Sequence, residues 1–373
     1  MPFGKEGREP GIGLALSGGG FRATLFHVGS LWRLNELGYL PLLDRISSIS
    51  GGSITAGLLA VRWDRLQFQG GKATNFDQEI VAPLRSFCAR NVDVFAIGIG
   101  ALLPGKSISD MVQEAYEDHL LGEGTLQTLR DRPRFVFNAT NFSTGVSFRL
   151  SKPYAGDYRI GLIKDPQIRI SFAVTASSAF PPVLSPAVLE VDPNSFQKVD
   201  GADLYDQVSY RKRLLLTDGG VYDNLGLETV WNRYDTVLVS DAGAPFDSDS
   251  AFVARADKQV MRALDITTNQ ARSLRKRALI ADFEEKKSKG TYWGIMTEIK
   301  KYELPDALPV PEAKTHELAS IRTRLNRFSD SEQCQLINWG YAVCDAAMRR
   351  HVGAPPAPSA PAWPYPKYAL DTV

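Results

Sequence analysis

Histidine is scarce in this chain of 373 residues, which has four: His27, His119, His316 and His351. His27 falls inside an apolar helical stretch, His119 in a charged segment, His316 in a proline-flanked one, and His351 beside a proline-rich end. None sits in the strand-end turn where a hydrolase triad holds its histidine, so serine chemistry here would need a different base. Cysteine is equally thin. Cys88, Cys334 and Cys344 form no CxxC pair, which suits a reduced compartment better than a disulfide framework. An excess of either charge is missing too: 43 basic residues face 42 acidic ones, which argues against nucleic acid as a partner. No HExxH-type metal spacing occurs. The opening MPFGKEGREP lacks an apolar signal core, and the apolar run at 94–104 is too short for a membrane span. Together these absences point to a cytoplasmic protein. A hydrophobic fraction of 44% is enough for a substantial core.

What is present follows strand–helix grammar. Residues 11–17 (GIGLALS) read as a buried strand, and Leu25, Val28 and Trp32 mark an amphipathic helix that Gly38 and Pro41 end. Residues 45–50 read as a second strand and 54–66 as a second helix, the pattern of a parallel sheet with right-handed crossovers. Residues 134–142 and 145–151 predict a hairpin, and 214–217 and 236–240 short buried strands ending in aspartate turns. Residues 192–207 read as a polar surface loop. Residues 251–289 predict a charged helix whose Arg272, Arg275, Lys276 and Arg277 read as a solvated face rather than a lipid-phosphate patch. The Pro/Ala-rich stretch 353–366 predicts an extended tail.

Three motifs bear on chemistry. Ser17-Gly18-Gly19-Gly20-Phe21-Arg22-Ala23 lets backbone amides converge on an anion at a helix N-terminus. The spacing Gly18-x-Gly20-x-x-Ala23 also fits a relaxed dinucleotide fingerprint, but the acidic residue expected after the second strand is replaced by Ser50-Gly51-Gly52-Ser53. That second stretch reads as a nucleophile elbow in the frame Gly51-Gly52-Ser53-Ile54-Thr55, with Thr55 in place of the last glycine. The plain alternative is that Ser53 caps a helix. The third motif, Thr217-Asp218-Gly219-Gly220, places an aspartate at a strand end. Asp241 ends another strand and Asp223 is a weaker candidate, so sequence grammar leaves the choice between Asp218 and Asp241 open.

Taken in order, SGGGFRA, SISGGS, ASSAFPPV (176–183) and TDGGVYDNLG (217–226) resemble the patatin-like phospholipases, whose core is related to cytosolic phospholipase A2. The resemblance spans about residues 10–245. It implies an α/β three-layer sandwich, its central sheet mainly parallel and flanked by helices. It also implies a Ser/Asp dyad with Ser53 as nucleophile and Asp218 as base, and an oxyanion hole of Gly18, Gly19 and Gly20 followed by the basic Arg22. The expected activity is release of fatty acid from phospholipid or lysophospholipid at a membrane or micelle, through peripheral contact and with no cofactor. A neutral-lipid or small-ester esterase and a ligand-gated lipase effector are the rival enzymes; a nucleotide- or lipid-binding module is the non-enzymatic one. The domain expected is single over 1–352, with a motif-bearing core at 10–245, a helical extension at 246–352 and a tail at 353–373. The run at 95–105 reads as core packing, with a lid or lipid-contacting patch as its alternative.

Overall fold

The computed structural model describes residues 8–93, 106–246, 248, 255–353 and 360–371; the apolar run at 94–105 lies outside them. The chain opens with β1 (Glu9–Leu16), α1 (Gly20–Glu36), β2 (Arg45–Ser48) and α2 (Gly51–Arg62), then a small hairpin of β3 (Phe68–Gln69) and β4 (Lys72–Ala73), α3 (Ala82–Cys88) and α4 (Ile108–Tyr116). A meander follows: β5 (Arg134–Asn141), β6 (Val146–Ser151), β7 (Tyr154–Asp157) and β8 (Gly161–Lys164). Next come α5 (Ile170–Ser178), β9 (Ala187–Glu190), β10 (Phe196–Gln197), α6 (Ser209–Lys212), β11 (Arg213–Asp218), α7 (Gly220–Asp223) and β12 (Tyr234–Asp241). The C-terminal part contributes α8 (Ala256–Glu284), β13 (Lys289–Gly294), α9 (Glu312–Ala319) and α10 (Asp330–His351).

The described strands outside the small hairpin form one mixed sheet in the order β10-β8-β7-β6-β5-β2-β1-β12-β13, with β11 paired to β5, and β9 to β11, off that path. From β5 to β13 neighbours run parallel, as the βαβ reading expects. From β5 to β10 they run antiparallel, and the predicted hairpin is β5 and β6. One expectation changes direction. Residues 214–217 belong to β11, which pairs antiparallel with β5 instead of continuing the parallel set.

Strand β5 acts as a ruler. Ser48, the last residue of β2, pairs with Phe137, and Asp218, the last residue of β11, pairs with Ala139. The two strands thus end against the same stretch of β5, pointing toward each other. With β-strand rise near 3.3 Å per residue, this register brings the turn after β2 and the end of β11 within side-chain reach.

Helix α1 is buried along almost its whole length, because α10 covers the side that the sheet does not. Glycines make the crossing tight: a Cβ on Gly29 would stand 1.9 Å from the Ile337 carbonyl oxygen, and one on Gly340 1.9 Å from that of Phe26. Arg33 of α1 pairs with Asp345 of α10 at 2.7 Å, both side chains almost wholly buried, and Arg33 also reaches Glu36 and Tyr341. Removing one partner of such a pair leaves an uncompensated buried charge, about 3–5 kcal/mol. The C-terminal helices are therefore part of the core. Residues 360–371 fold back instead of extending as a tail: Leu370 is fully buried, and the Asn338 side chain donates to the carbonyls of Tyr365 and Tyr368.

Candidate active site

Helix α2 begins at Gly51, three residues before the expected start, and this changes the frame of the elbow. The apex is Ser50, not Ser53. Ser50 has φ 50° and ψ −120°, a conformation that holds about 1–3 kcal/mol of strain in a residue with a Cβ. Its backbone is fixed from behind: the Ser50 N–H donates to the Ser177 carbonyl at 3.1 Å and lies 3.0 Å from the Ser177 hydroxyl. The small residues after it have steric reasons. A Cβ on Gly51 would stand 2.1 Å from the Gly20 carbonyl oxygen, and one on Gly52 2.5 Å from that of Leu16. Ser53 sits one turn deeper, fully buried, its hydroxyl 2.9 Å from that of Ser48 and 2.8 Å from that of Ser177. Ser53 does not reach the cavity.

Asp218 arrives from β11 to face this apex. Its N–H donates to the Ala179 carbonyl, and the next amide, Gly219, donates to the Ser177 carbonyl that also holds Ser50. The end of α5, inside the ASSAFPPV stretch, thus clamps the elbow and the acid turn together. Oδ1 accepts the Gly220 N–H at 2.7 Å. Oδ2 is buried and has no hydrogen-bond partner among the described residues. Burial pushes the Asp218 carboxyl from the usual 3.8 up to about 7, offset in part by the Gly220 N–H and by the Ser50 side chain. A buried acceptor without a partner costs about 1–3 kcal/mol, so its retention beside a strained serine asks for a functional reason.

The other acids are occupied. Burial would raise Asp241 as well, but Arg272 at 2.9 Å, the Tyr292 hydroxyl at 2.6 Å and the Gly243 N–H outweigh it and hold that carboxyl below the usual range. Asp223 accepts the amides of Leu225, Leu227 and Glu228 and locks its own turn. His27 is buried between Ser240 and the Ser17 carbonyl, and desolvation lowers its pKa to about 4, so it is a neutral core residue.

The glycine loop divides in its placement. Gly19 and Gly20, with φ 140° and 54°, line the cavity beside Ser50 and Asp218. Gly20 and Gly51 open α1 and α2, so no carbonyl of their own helices can take their N–H groups, and a Cβ on Gly51 would stand 3.0 Å from the Gly20 nitrogen. Gly18 turns away: its N–H donates to the Asn224 carbonyl at 3.1 Å. Arg22 also departs from expectation. Its buried guanidinium donates to the carbonyls of Ala319, Ile321 and Ala242, docking the segment before α10 onto the glycine loop.

The cavity that these residues share measures about 690 Å³. Phe180, Val183 and Leu184 give it an apolar wall, and one face of α8 gives it a polar one. The basic cluster of that helix is an ionic dock more than a solvated face: Arg272 pairs with Asp241, Arg275 lies near Asp223 and Glu228, and Lys276 sits over the Tyr292 ring. None of the described helices is long and apolar enough to cross a membrane.

Residues 14–231 match the family model described as patatin-like phospholipase. Among solved structures, the chain is similar to human GIVD cytosolic phospholipase A2 in complex with methyl gamma-linolenyl fluorophosphonate, with TM-score 0.50 and 15% identity over 90% of this chain and 57% of that one. A second structure of the human enzyme gives TM-score 0.40 and 15% identity over 62% and 45%. VipD from Legionella pneumophila gives TM-score 0.40 and 14% identity over 92% and 68%. The chain thus spans roughly half the length of the human structures, and at these identities the likeness is one of fold. No curated protein matches.

Proposed function

The chain belongs to the patatin-like phospholipase family, and from that membership we propose that it is a lipid acyl hydrolase releasing fatty acid from phospholipid or lysophospholipid through a Ser50–Asp218 dyad. The observation that carries this reading is the buried Asp218 carboxyl, its Oδ2 without a hydrogen-bond partner among the described residues, lining the same cavity as the strained Ser50 beside an apolar wall. A carboxyl near pKa 7 is a far better base at neutral pH than an ordinary aspartate, because its affinity for a proton matches the task.

In this mechanism Asp218 takes the Ser50 hydroxyl proton as the oxygen attacks the ester carbonyl. The oxyanion is held by the N–H groups of Gly19, Gly20 and Gly51, each well-aimed donor lowering the barrier by about 3–4 kcal/mol. Collapse breaks the ester bond, and Asp218 returns the proton to the departing alkoxide. Water then attacks the acyl-Ser50 ester, giving its proton to Asp218, and the fatty acid leaves as Ser50 is restored. Arg22 and Gly18 have supporting roles in this scheme, and Ser53 serves the packing beneath the elbow.

The test is fatty-acid release from phosphatidylcholine and lysophosphatidylcholine dispersions by wild type, Ser50→Ala and Ser53→Ala. Ser50→Ala is expected to lose at least about a thousandfold in kcat, and Ser53→Ala to stay within about tenfold. The reverse pattern would return the nucleophile to Ser53. Inertness of the wild type on both lipids and on simple esters would remove the hydrolase reading.

A further inference from the structure

The turn after Asp218 brings a second polar side chain to the cavity, that of Asn224, which directly follows α7. Its backbone is fixed on both sides. The Asn224 carbonyl accepts the Gly18 N–H at 3.1 Å. Its neighbour Asp223 takes the amides of Leu225 and Leu227, and Gly226 continues the turn with φ 69°.

Two glycines leave room for the side chain. A Cβ on Gly18 would stand 2.3 Å from Asn224 Oδ1, and one on Gly220 2.6 Å from it. The same two points locate the dyad: the first is 3.1 Å from Ser50 Cβ, and the second is 3.0 Å from Asp218 Oδ1. Two oxygens that near to one point lie within the span of a single bridging water, roughly twice a 2.8 Å O–H···O distance. Asn224 is half-buried, and among the described residues nothing hydrogen-bonds its carboxamide. A carboxamide meant only for bulk solvent would need no such clearance on two loops.

The second half of the proposed reaction needs what this oxygen offers. A water attacking acyl-Ser50 has two O–H bonds, and Asp218 takes the proton of one. An acceptor for the other aims the water's lone pair at the acyl carbon. We propose that Asn224 is the positioning residue for the hydrolytic water, its Oδ1 accepting the O–H that Asp218 does not. The water oxygen bonds to the acyl carbon, and one proton passes to Asp218 and on to Ser50 Oγ as the acyl–Oγ bond breaks. The other stays on the departing fatty acid as its hydroxyl. The inference rests on the hydrolase reading and adds the residue that makes water the acyl acceptor.

The test is product partition in aqueous methanol, with lysophosphatidylcholine and p-nitrophenyl butyrate as acyl donors. Methanol has one O–H, which Asp218 takes, so methyl-ester formation needs no second acceptor. The ratio of methyl ester to free acid reads deacylation alone, whichever step limits turnover. Asn224→Leu, close in volume and without an acceptor, is expected to raise that ratio about tenfold, and Asn224→Ala by a similar factor. Asn224→Asp, which keeps an oxygen there, should stay within about threefold of wild type. An unchanged ratio, or loss of both products together in folded variants, is what a purely structural role predicts and would overturn the assignment. A wild type that forms neither product from either donor would instead remove the hydrolase reading, and the assignment with it.

Discussion

Replacing Asp218 by asparagine should make the protein more stable as it makes the proposed enzyme inactive, and the gain should depend on pH. Burial raises the folded carboxyl to about 7, against the ordinary 3.8. The folded state therefore holds this proton more tightly than the unfolded chain, and between those two values stability falls as pH rises. Above pH 7 the full penalty of the buried charge is present, about 4 kcal/mol as an upper limit at 1.36 kcal/mol per pH unit. An isosteric amide escapes that penalty. It also leaves an N–H in the place of Oδ2, so a net gain of about 2–4 kcal/mol is reasonable at pH 8. For a chain of this length the melting entropy is about 0.8 kcal/mol per degree, which converts the gain to about 3–5 °C. Calorimetric melting of both proteins at pH 5 and pH 8 is the assay, and the gain at pH 8 should exceed that at pH 5 by about 2–3 kcal/mol. A gain independent of pH, or a loss at pH 8, would show that the native carboxylate is compensated and would refute the base assignment's electrostatic argument.

Further outcomes can be stated alongside it. The pH profile of kcat/KM on an uncharged ester should lose activity with unit slope below about pH 7, because the raised Asp218 must be deprotonated to act; a profile flat down to pH 5 would contradict this. Arg22→Ala strips donors from the Ala319, Ile321 and Ala242 carbonyls, and urea titration should record about 3 kcal/mol or more of lost stability, with new proteolytic cleavage near residues 319–325. Asp345→Asn should destabilise by about 3 kcal/mol by leaving Arg33 without its buried counter-charge.

Much of this arrangement was legible in the sequence, and the parts that were not have physical reasons. The βαβ start, the hairpin and the long charged helix follow from apolar periodicity and glycine punctuation, which are local properties. The elbow was legible as a place but not as a residue. Ser50 and Ser53 each fit a damaged G-x-S-x-G, one lacking its first glycine and the other its last. What separates them is the end of β2 at Ser48, which pairing with β1 and β5 decides. The antiparallel course of β11 was hidden for the same reason. Arg22 looked like a cavity cation because its carbonyl partners lie in a segment nearly three hundred residues away. The ASSAFPPV stretch was recognisable without a role until Ser177 and Ala179 were seen to hold both halves of the site.

The register on β5 also carries a kinetic meaning. Ser50 follows β2 and Asp218 ends β11, strands that are not paired to each other, and the two residues meet because a third strand indexes both. Closing that arrangement requires two contacts of long sequence separation, the kind that form slowly because loop entropy must first be overcome. Recovery of catalysis after dilution from urea should therefore lag behind recovery of helical signal. A mechanism-based inhibitor added at successive times would then label a growing fraction of chains and serve as a clock for assembly of the sheet.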